Sequence, residues 1–394
     1  NGETVAVLYV GSSKDDLALL QQAFRSEVVR DTAVAAAALS AVIAAVSVFL
    51  LLSIRQLQRA VGRMQGGAYE TRVTIRRRDE IGDLGKSFNV MGDSLQGSFR
   101  QITTMRDAYA RYVPREFLRL LGKREIQEIE LGNQVEVDMA VLFADIRSFT
   151  LLSEAMKPQE NFNFLNSYLS RMGPIIRANH GFIDKYLGDG IMALFAGDRP
   201  DDPTGRGQDP ARASADAVAA ATAMQQELFT YNRQRRRMGY PPIQVGVGVH
   251  AGKVMLGILG EEERREGTVI ADVVNLASRL EGLTKVYGAR IIVSDQVIRM
   301  MGAGAPDHRY LGDAEVKGKR AEVPVHEVFA ADPEEDVRRK RHTRGFFETG
   351  VGLFRQSERR HQAGFRVEAL RYFRAVAKAH PEDRAAAYYL AACS

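Results

Sequence analysis

Cysteine is nearly absent from the 394 residues, because Cys393 is the only one in the chain. A single thiol cannot form a disulfide within one chain, and it cannot build a cysteine-based metal site. A long basic tract is also missing: the formal net charge is +5, but the arginines are spread along the sequence. Binding to nucleic acid is therefore not expected. The first residue is Asn1 rather than methionine, so we expect the sequence to be a fragment.

Charged side chains are missing from residues 32–54. A helix of this length spans about 34 Å, against a hydrocarbon core of about 30 Å. Seven arginines and one glutamate lie between Arg55 and Arg78, whereas five acids and three bases precede Thr32. Positive charge marks the cytoplasmic side of a span. The sequence therefore predicts one helix across the cell (inner) membrane, with the chain from Arg55 onward in the cytoplasm. The alternative is a buried core helix.

Residues 1–31 contain an apolar run, Val5 to Val10, which ends at Gly11 and predicts a short strand. A helix that starts at Asp15 is expected to run into the span. The pattern resembles the end of an extracytoplasmic sensor domain of the Cache type. We interpret residues 1–31 as the end of such a domain.

A heptad pattern follows the span. Its apolar positions are Ile81, Leu84, Phe88, Met91, Leu95, Ile102, Met105, Tyr109 and Tyr112, with Ser98 as the polar exception. This period of 3.5 residues predicts a coiled coil and hence a parallel homodimer. A shorter stripe, Ile54, Leu57, Val61 and Met64, lies before Gly66-Gly67.

Two amphipathic helices joined by a glycine-containing connector resemble a HAMP domain, which we assign to residues 55–105. The runs Asp79-Glu80-Ile81-Gly82 and Phe88-Asn89 fit that family, whereas the proline usual near the start of the first helix is missing. The resemblance implies that this region relays a signal. The alternative is a stalk that only dimerises.

Strand and helix patterns alternate over residues 133–331, after a coiled-coil linker predicted at 106–132. The order β-α-β-β-α-β, with additional elements, predicts an α+β, ferredoxin-like domain. Residues 340–394 are predicted to form a helical tail. The spacing of Ala369, Phe373 and Pro381 is typical of a tetratricopeptide repeat, a unit that could bind a protein partner. A simple helical hairpin is the alternative.

Two aspartates stand at positions where packing does not require them. Asp145 lies at the end of an apolar strand, and Asp189 lies in the hairpin turn between Leu187 and Gly190. Burying an isolated carboxylate is costly. If the two strands are neighbours, the carboxylates converge, and such a pair suits Mg²⁺ or Mn²⁺. Taken alone, Asp189 would be an ordinary turn residue.

Four runs closely resemble the class III adenylyl and guanylyl cyclase domain. They occur in the family's order and with its spacing: Phe143 to Thr150, Gly181 to Phe195, Thr268 to Glu281, and Val316 to Lys319. The resemblance implies a nucleotidyl cyclase fold. It also implies that Asp145, Asp189 and the backbone carbonyl of Ile146 hold two Mg²⁺ or Mn²⁺ ions per site.

The same resemblance implies roles for residues that bind the substrate. Asn275 would orient the ribose, and Arg279 would stabilise charge on the α-phosphate. Lys317 would contact the terminal phosphates. In this family the metal residues come from one subunit and the Asn/Arg pair from the other, so the implied enzyme is a homodimer.

Lys185 and Thr268 match the positions that read the purine in this family. The Lys–Thr pair resembles bacterial adenylyl cyclases, whereas guanylyl cyclases present Glu and Cys. The sequence is therefore interpreted as a membrane-anchored adenylate cyclase that converts ATP to 3′,5′-cyclic AMP and pyrophosphate under control of the HAMP domain. A guanylate cyclase and a catalytically silent nucleotide-binding module remain the alternatives.

Overall fold

The computed structural model describes residues 14–109, 114–123, 125–197, 209–315 and 322–393. Its contacts divide the chain into two compact units, Asn1–Tyr109 and Ala110–Ser394. The N-terminal unit consists of helices α1 (Lys14–Gln65) and α2 (Glu80–Tyr109). The predicted strand at residues 5–10 lies outside the described residues.

Helix α1 contains the predicted span. It is long and apolar enough, by length and composition, to cross a membrane. Its apolar side chains between residues 32 and 54 are largely exposed in the single chain. Lipid is the environment that such a surface fits.

A small apolar core joins α1, the connector and α2. Its buried members are Ala60, Met64, Val73 and Phe88. The side chain of Asn89 accepts a hydrogen bond from the Val73 N–H and donates one to the Val73 carbonyl, each at 2.9 Å, and so ties the connector to α2. Other positions of the heptad stripe stay exposed in the single chain, namely Leu84, Met91, Ile102 and Met105.

The start of α2 explains the run Asp79 to Gly82. The Asp79 carboxylate accepts a hydrogen bond from the Gly82 N–H at 3.1 Å, which satisfies one of the free donors of the first turn. A Cβ at Gly82 would lie 2.2 Å from the Arg77 carbonyl oxygen. Glycine is therefore required by the close approach of the connector.

The C-terminal unit is built on an eight-stranded sheet. The strands are β1 (Gln134–Ile146), β2 (Gly181–Leu187), β3 (Gly190–Phe195), β4 (Val245–Gly260), β5 (Arg265–Ile270), β6 (Ile291–Ser294), β7 (His308–Glu315) and β8 (Glu322–Val328). Their order is β2-β3-β1-β4-β6-β8-β7, with β5 paired to β4. The β4–β6 pair is parallel and the other pairs are antiparallel. The predicted α+β class is confirmed.

Helices cover both faces of this sheet. They are α3 (Arg115–Leu120), α4 (Phe149–Glu154), α5 (Pro158–Ala178), α6 (Pro210–Arg237), α7 (Asp272–Tyr287), α8 (Asp295–Met301), α9 (Glu334–Arg360), α10 (Ala363–Ala379) and α11 (Arg384–Cys393). Helix α6 begins where the sequence favours it: Pro210 occupies the first turn, and the Asp209 carboxylate accepts from the N–H groups of Ala211 and Arg212.

Strand β1 is buried on both faces because its apolar residues are continuous. One set of side chains packs with α5 and α6: Ala140, Leu142, Ala144 and Ile146. The alternate set packs with α3 and α7: Val137, Met139 and Val141. The strand therefore ends with its backbone held rigidly on both sides.

Helix α7 lies unusually close to β4. A Cβ at Gly248 would lie 2.2 Å from the Glu281 nitrogen, and a Cβ at Gly246 would lie 2.1 Å from Thr284 Oγ1. Glycine at 248 lets the helix backbone approach the strand, and glycine at 246 leaves room for the side chains of Thr284 and Glu281. This contact fixes the position of α7 along β4.

The predicted coiled-coil linker at 106–132 is corrected in part. The segment includes the end of α2, but α3 belongs to the C-terminal unit and packs on its sheet. Phe117 is 2% exposed and lies in the core beside Val137 and Val269. An apolar residue pair, Phe117 and Leu120, favours this burial over a solvent-exposed coil.

The C-terminal helices α9–α11 are not a separate tail. Their aromatic residues Phe347, Phe373 and Tyr389 share a core with Leu280 of α7 and Ile292 of β6. Ala369 and Phe373, which suggested a repeat motif, are fully buried in this core. The tetratricopeptide assignment and a protein partner for these helices stay predictions.

Candidate active site

The end of β1 and the β2–β3 turn bring the two predicted metal aspartates together. Asp145 is the last but one residue of β1, which pairs antiparallel with β3. A Cβ at Gly190, the first residue of β3, would lie 3.5 Å from Asp145 Oδ1. Asp189 precedes Gly190 in a tight turn in which Gly188 has a φ of +68°. The turn therefore delivers Asp189 beside Asp145.

The electrostatics of this pair favour a cation. Burial, together with the charge and hydrogen bonding of Asp145, raises the pKa of Asp189 to about 6, although backbone N–H groups, including that of Ile146, oppose the shift. Among the described residues, Asp189 Oδ2 is buried without a hydrogen-bond partner. A divalent cation would relieve both the repulsion and the unsatisfied oxygen. Oxygen-only donors suit Mg²⁺ or Mn²⁺.

Lys285, which the sequence analysis did not identify, contacts this pair. It lies in the last turn of α7, and its Nζ is 3.4 Å from Asp145 Oδ2. The side chain of Lys285 is 49% exposed, and that of Asp145 is 32% exposed. The two residues are 140 positions apart. No motif in the sequence joins them, so only the fold reveals the contact.

Glu281 is a third carboxyl group near the pair. It is 9% exposed, and its Oε1 has no hydrogen-bond partner in the described parts of the chain. Gly246 on β4 pairs with Asp145 on β1, and its lack of a side chain leaves room for Glu281 Oε1. Burial and the charge of Asp145 raise the pKa of Glu281 to about 7. The group is thus held protonated over much of the acidic range.

The predicted purine-reading residues also meet. Lys185 on β2 and Thr268 on β5 are joined by a hydrogen bond of 3.2 Å from Nζ to Oγ1. Two acids that no sequence motif pointed to flank Lys185: Asp184 and Glu266 each have a carboxylate oxygen 3.5 Å from Nζ. Burial raises the pKa of Asp184, and Lys185 acts against that shift. The pairing register of β2 is irregular at Asp184, between Ile183 and Lys185.

Asn275 and Arg279 lie one turn apart on α7, so they share a face of the helix. Asn275 is exposed, and Arg279 is half-buried. Lys317, the predicted phosphate ligand, lies outside the described residues.

Arg147 connects the end of β1 to the C-terminal end of α7. Its guanidinium donates to the carbonyl oxygens of Thr284 at 2.9 Å and Ala289 at 2.5 Å, and to Gln244 Oε1 at 3.1 Å. Burial lowers the pKa of Arg147, and the nearby guanidinium groups of Arg384 and Arg290 add to the effect. The loop after β1 is therefore fastened to α7.

Comparison with known proteins gives two family matches. The model described as the adenylate and guanylate cyclase catalytic domain matches residues 132–328, which is half of the chain. The HAMP domain model matches residues 47–97. Both resemblances inferred from the sequence are confirmed.

Individual relatives point the same way. An adenylate cyclase from Anabaena cylindrica is 40% identical over 284 residues, which cover 70% of this chain and 54% of the relative. The terminal-differentiation-specific adenylate cyclase of Dictyostelium discoideum is 30% identical over 298 residues, 75% of this chain and 13% of the relative. The chain thus spans about half of the first relative and much less of the second.

The fold is similar to that of a solved bacterial light-regulated adenylyl cyclase. The TM-score is 0.51 at 23% sequence identity, over 63% of this chain and 68% of that one. At this identity the likeness concerns the fold alone.

Proposed function

Because this chain belongs to the adenylate and guanylate cyclase family, we propose that it is a membrane-anchored adenylate cyclase. It converts ATP to 3′,5′-cyclic AMP and pyrophosphate. The observation that carries the proposal is the convergence of Asp145 and Asp189. Among the described residues, Oδ2 of Asp189 is buried without a hydrogen-bond partner. An oxygen-only pair of this kind fits a family that uses divalent metal ions.

Asp145, Asp189 and the Ile146 carbonyl would hold two Mg²⁺ or Mn²⁺ ions. When bound, such ions lower the pKa of the ribose 3′-hydroxyl and neutralise phosphate charge. The buried β1 backbone keeps Asp145 in place, and the tight turn keeps Asp189 beside it. The protein thus supplies a preorganised pair of carboxylates.

The reaction forms a bond between the 3′-oxygen and the α-phosphorus. It breaks the bond from the α-phosphorus to the bridging oxygen of pyrophosphate, and the hydroxyl proton is lost. Arg279 would donate hydrogen bonds to the α-phosphate oxygens, where charge develops, and Asn275 would orient the ribose. Lys317 would bind the terminal phosphates.

ATP is favoured over GTP by the contact between Lys185 and Thr268. Lysine donates to an adenine ring nitrogen, and threonine sits near the exocyclic amine. Guanine presents an N–H donor at that ring position, which an ammonium group cannot accept. The carboxylates of Asp184 and Glu266 are close to Lys185, so their ion pairs hold its amine in place.

A parallel homodimer is supported by the exposed heptad stripe of α2. Two equivalent sites would each combine the aspartates of one subunit with Asn275 and Arg279 of its partner. Regulation by the HAMP domain would act through the alignment of these two half-sites. The apolar part of α1 would cross the inner membrane, with the cyclase domain in the cytoplasm.

The test is product analysis of the purified full chain with Mn²⁺ and either ATP or GTP. We expect cyclic AMP from ATP and little product from GTP. Asp145→Asn should abolish the activity, and Lys185→Glu should reduce the preference for ATP. Lys253→Glu is the matched control, because Lys253 forms an exposed ion pair with Glu136.

Two outcomes would contradict the proposal. Cyclic GMP as the main product would make the protein a guanylate cyclase. Absence of both products from a confirmed dimer would favour a silent nucleotide-binding module.

A further inference from the structure

Lys285 occupies a position where a cation is expected. Its ammonium group is 3.4 Å from Oδ2 of Asp145, the proposed metal ligand. Two further acids, Asp189 and Glu281, lie near Asp145: burial raises the pKa of both, and the charge of Asp145 adds to the shift. The contact therefore neutralises a carboxylate within an acidic cluster.

The backbone of Lys285 is held in place, whereas its side chain contacts Asp145 from a partly exposed position. Arg147 donates to the carbonyl oxygen of the preceding residue, Thr284, and Thr284 is itself fully buried against Gly246. By contrast, 49% of the Lys285 side chain is exposed. A long side chain on a fixed helix turn can move its charged group several ångströms at little cost.

We propose that Lys285 is the resident counter-ion of the metal-binding carboxylates: it neutralises Asp145 before metal binds, and it opposes and so tunes metal binding. The proposal rests on the assignment of Asp145 as a metal ligand. It makes Lys285 a positioning residue that sets how much free metal the cyclase needs.

The expected size of the effect follows from charge repulsion. An ammonium group and a divalent ion about 6 Å apart at a water-like dielectric constant repel each other by an amount equivalent to roughly a tenfold change in affinity. Replacing Lys285 with an uncharged residue should therefore tighten metal binding about tenfold. Higher salt should reduce the difference, because the group is half exposed.

The experiment measures binding of Mn²⁺ alone to the full chain in a neutral detergent, from the electron paramagnetic resonance signal of free Mn²⁺. Lys285→Met should bind Mn²⁺ more tightly than the unchanged protein, and Lys285→Arg should keep its affinity. Lys253→Met, at an exposed ion pair with Glu136 on the same sheet, should change nothing. Cyclase activity at limiting and saturating Mn²⁺ gives a second readout, in which the gain should appear only at limiting metal.

Three results separate the possibilities. Unchanged or weaker Mn²⁺ binding in Lys285→Met, with binding lost in Asp145→Ala, would overturn the role of Lys285. The same would follow from a fall in activity at saturating metal with unaltered Mn²⁺ affinity, which would make Lys285 a substrate ligand. Mn²⁺ binding that survives Asp145→Ala would instead refute the metal site on which the proposal depends.

Discussion

The buried ion pairs of Arg309 give a quantitative test of how the C-terminal helices join the cyclase domain. Arg309 on β7 is 1% exposed. Its guanidinium donates to Asp383 at 2.5 and 2.8 Å and to Glu327 at 2.7 Å, and it stacks over the Phe347 ring at 4.1 Å. Burial alone would raise the pKa of Asp383, but Arg309 outweighs it and lowers that pKa.

Arg309→Met should destabilise the protein strongly. The change leaves Asp383 buried without its cation, whereas Glu327 keeps Lys340 at 2.6 Å. Removing one partner of a buried pair costs about 3–5 kcal/mol. At about 2–4 °C of melting temperature per kcal/mol in a domain of this size, the expected fall in Tm is roughly 6–20 °C.

Near-ultraviolet circular dichroism of the full chain in detergent is a suitable assay. The chain has no tryptophan, so tyrosines and phenylalanines give the signal. Tyr287, Tyr388 and Tyr389 pack together where α7 meets α11. The melting curve therefore includes a signal from the joined helices.

Two further variants test whether the buried ion pairs of Arg309 are the cause of the expected fall in Tm. Arg341→Met removes an arginine whose ion pair with Asp307 is on the surface, so it should shift Tm by no more than a few degrees. Arg309→Met combined with Asp383→Leu should recover most of the lost stability, because no buried charge is then left unpaired. Equal shifts for Arg309→Met and Arg341→Met would show that the buried ion pairs of Arg309 contribute no more to stability than a surface pair.

Three other predictions follow from the structure. Gly248→Ala should reduce cyclase activity at least ~10-fold, because its Cβ would overlap the α7 backbone, whereas Gly282→Ala, with open space around it, should not; both are measured with saturating Mn²⁺. Met91→Glu on the heptad stripe should lower the dimer fraction in cross-linking, whereas Val90→Glu, exposed but off the stripe, should leave it unchanged. Because the folded pKa of Glu281 is about 7, above its ordinary value, metal-free protein should lose stability as pH rises from about 5 to 8. Tm measured against pH in EDTA should therefore fall less steeply for Glu281→Gln than for the unchanged protein. An equal slope in the two proteins would refute the role of Glu281.

Much of the architecture was predictable because local patterns and global packing agree. Strand β1 is apolar on both faces, and it is buried on both faces. The heptad stripe and the Asp79–Gly82 run predicted the second helix of the N-terminal unit, where Asp79 contacts the Gly82 N–H. The convergence of Asp145 and Asp189 needed only the pairing of β1 with β3.

The sequence did not predict contacts made between distant segments. Lys285 reaches Asp145 only because glycines on β4 admit α7 so closely. Strand β5 was missed because residues Arg265 to Thr268 lack apolar alternation. This strand nevertheless places Thr268 within hydrogen-bond distance of Lys185. The C-terminal helices were predicted as a tail because no sequence pattern links them to the cyclase domain. Asp383, for example, pairs with Arg309, which lies 74 residues earlier.

Helix α7 links these observations. One face carries Asn275 and Arg279, and its C-terminal end is fastened on one side by Arg147 to the loop after β1. On the other side, Tyr287 packs against Tyr389 of α11. We therefore expect a substitution in the core of the C-terminal helices to displace the helix that carries the proposed catalytic pair. Loss of activity in such a variant indicates a change in α7 before it indicates a lost binding partner. The two explanations separate by measurement: a displaced α7 lowers kcat of the purified enzyme, whereas a lost partner leaves kcat unchanged.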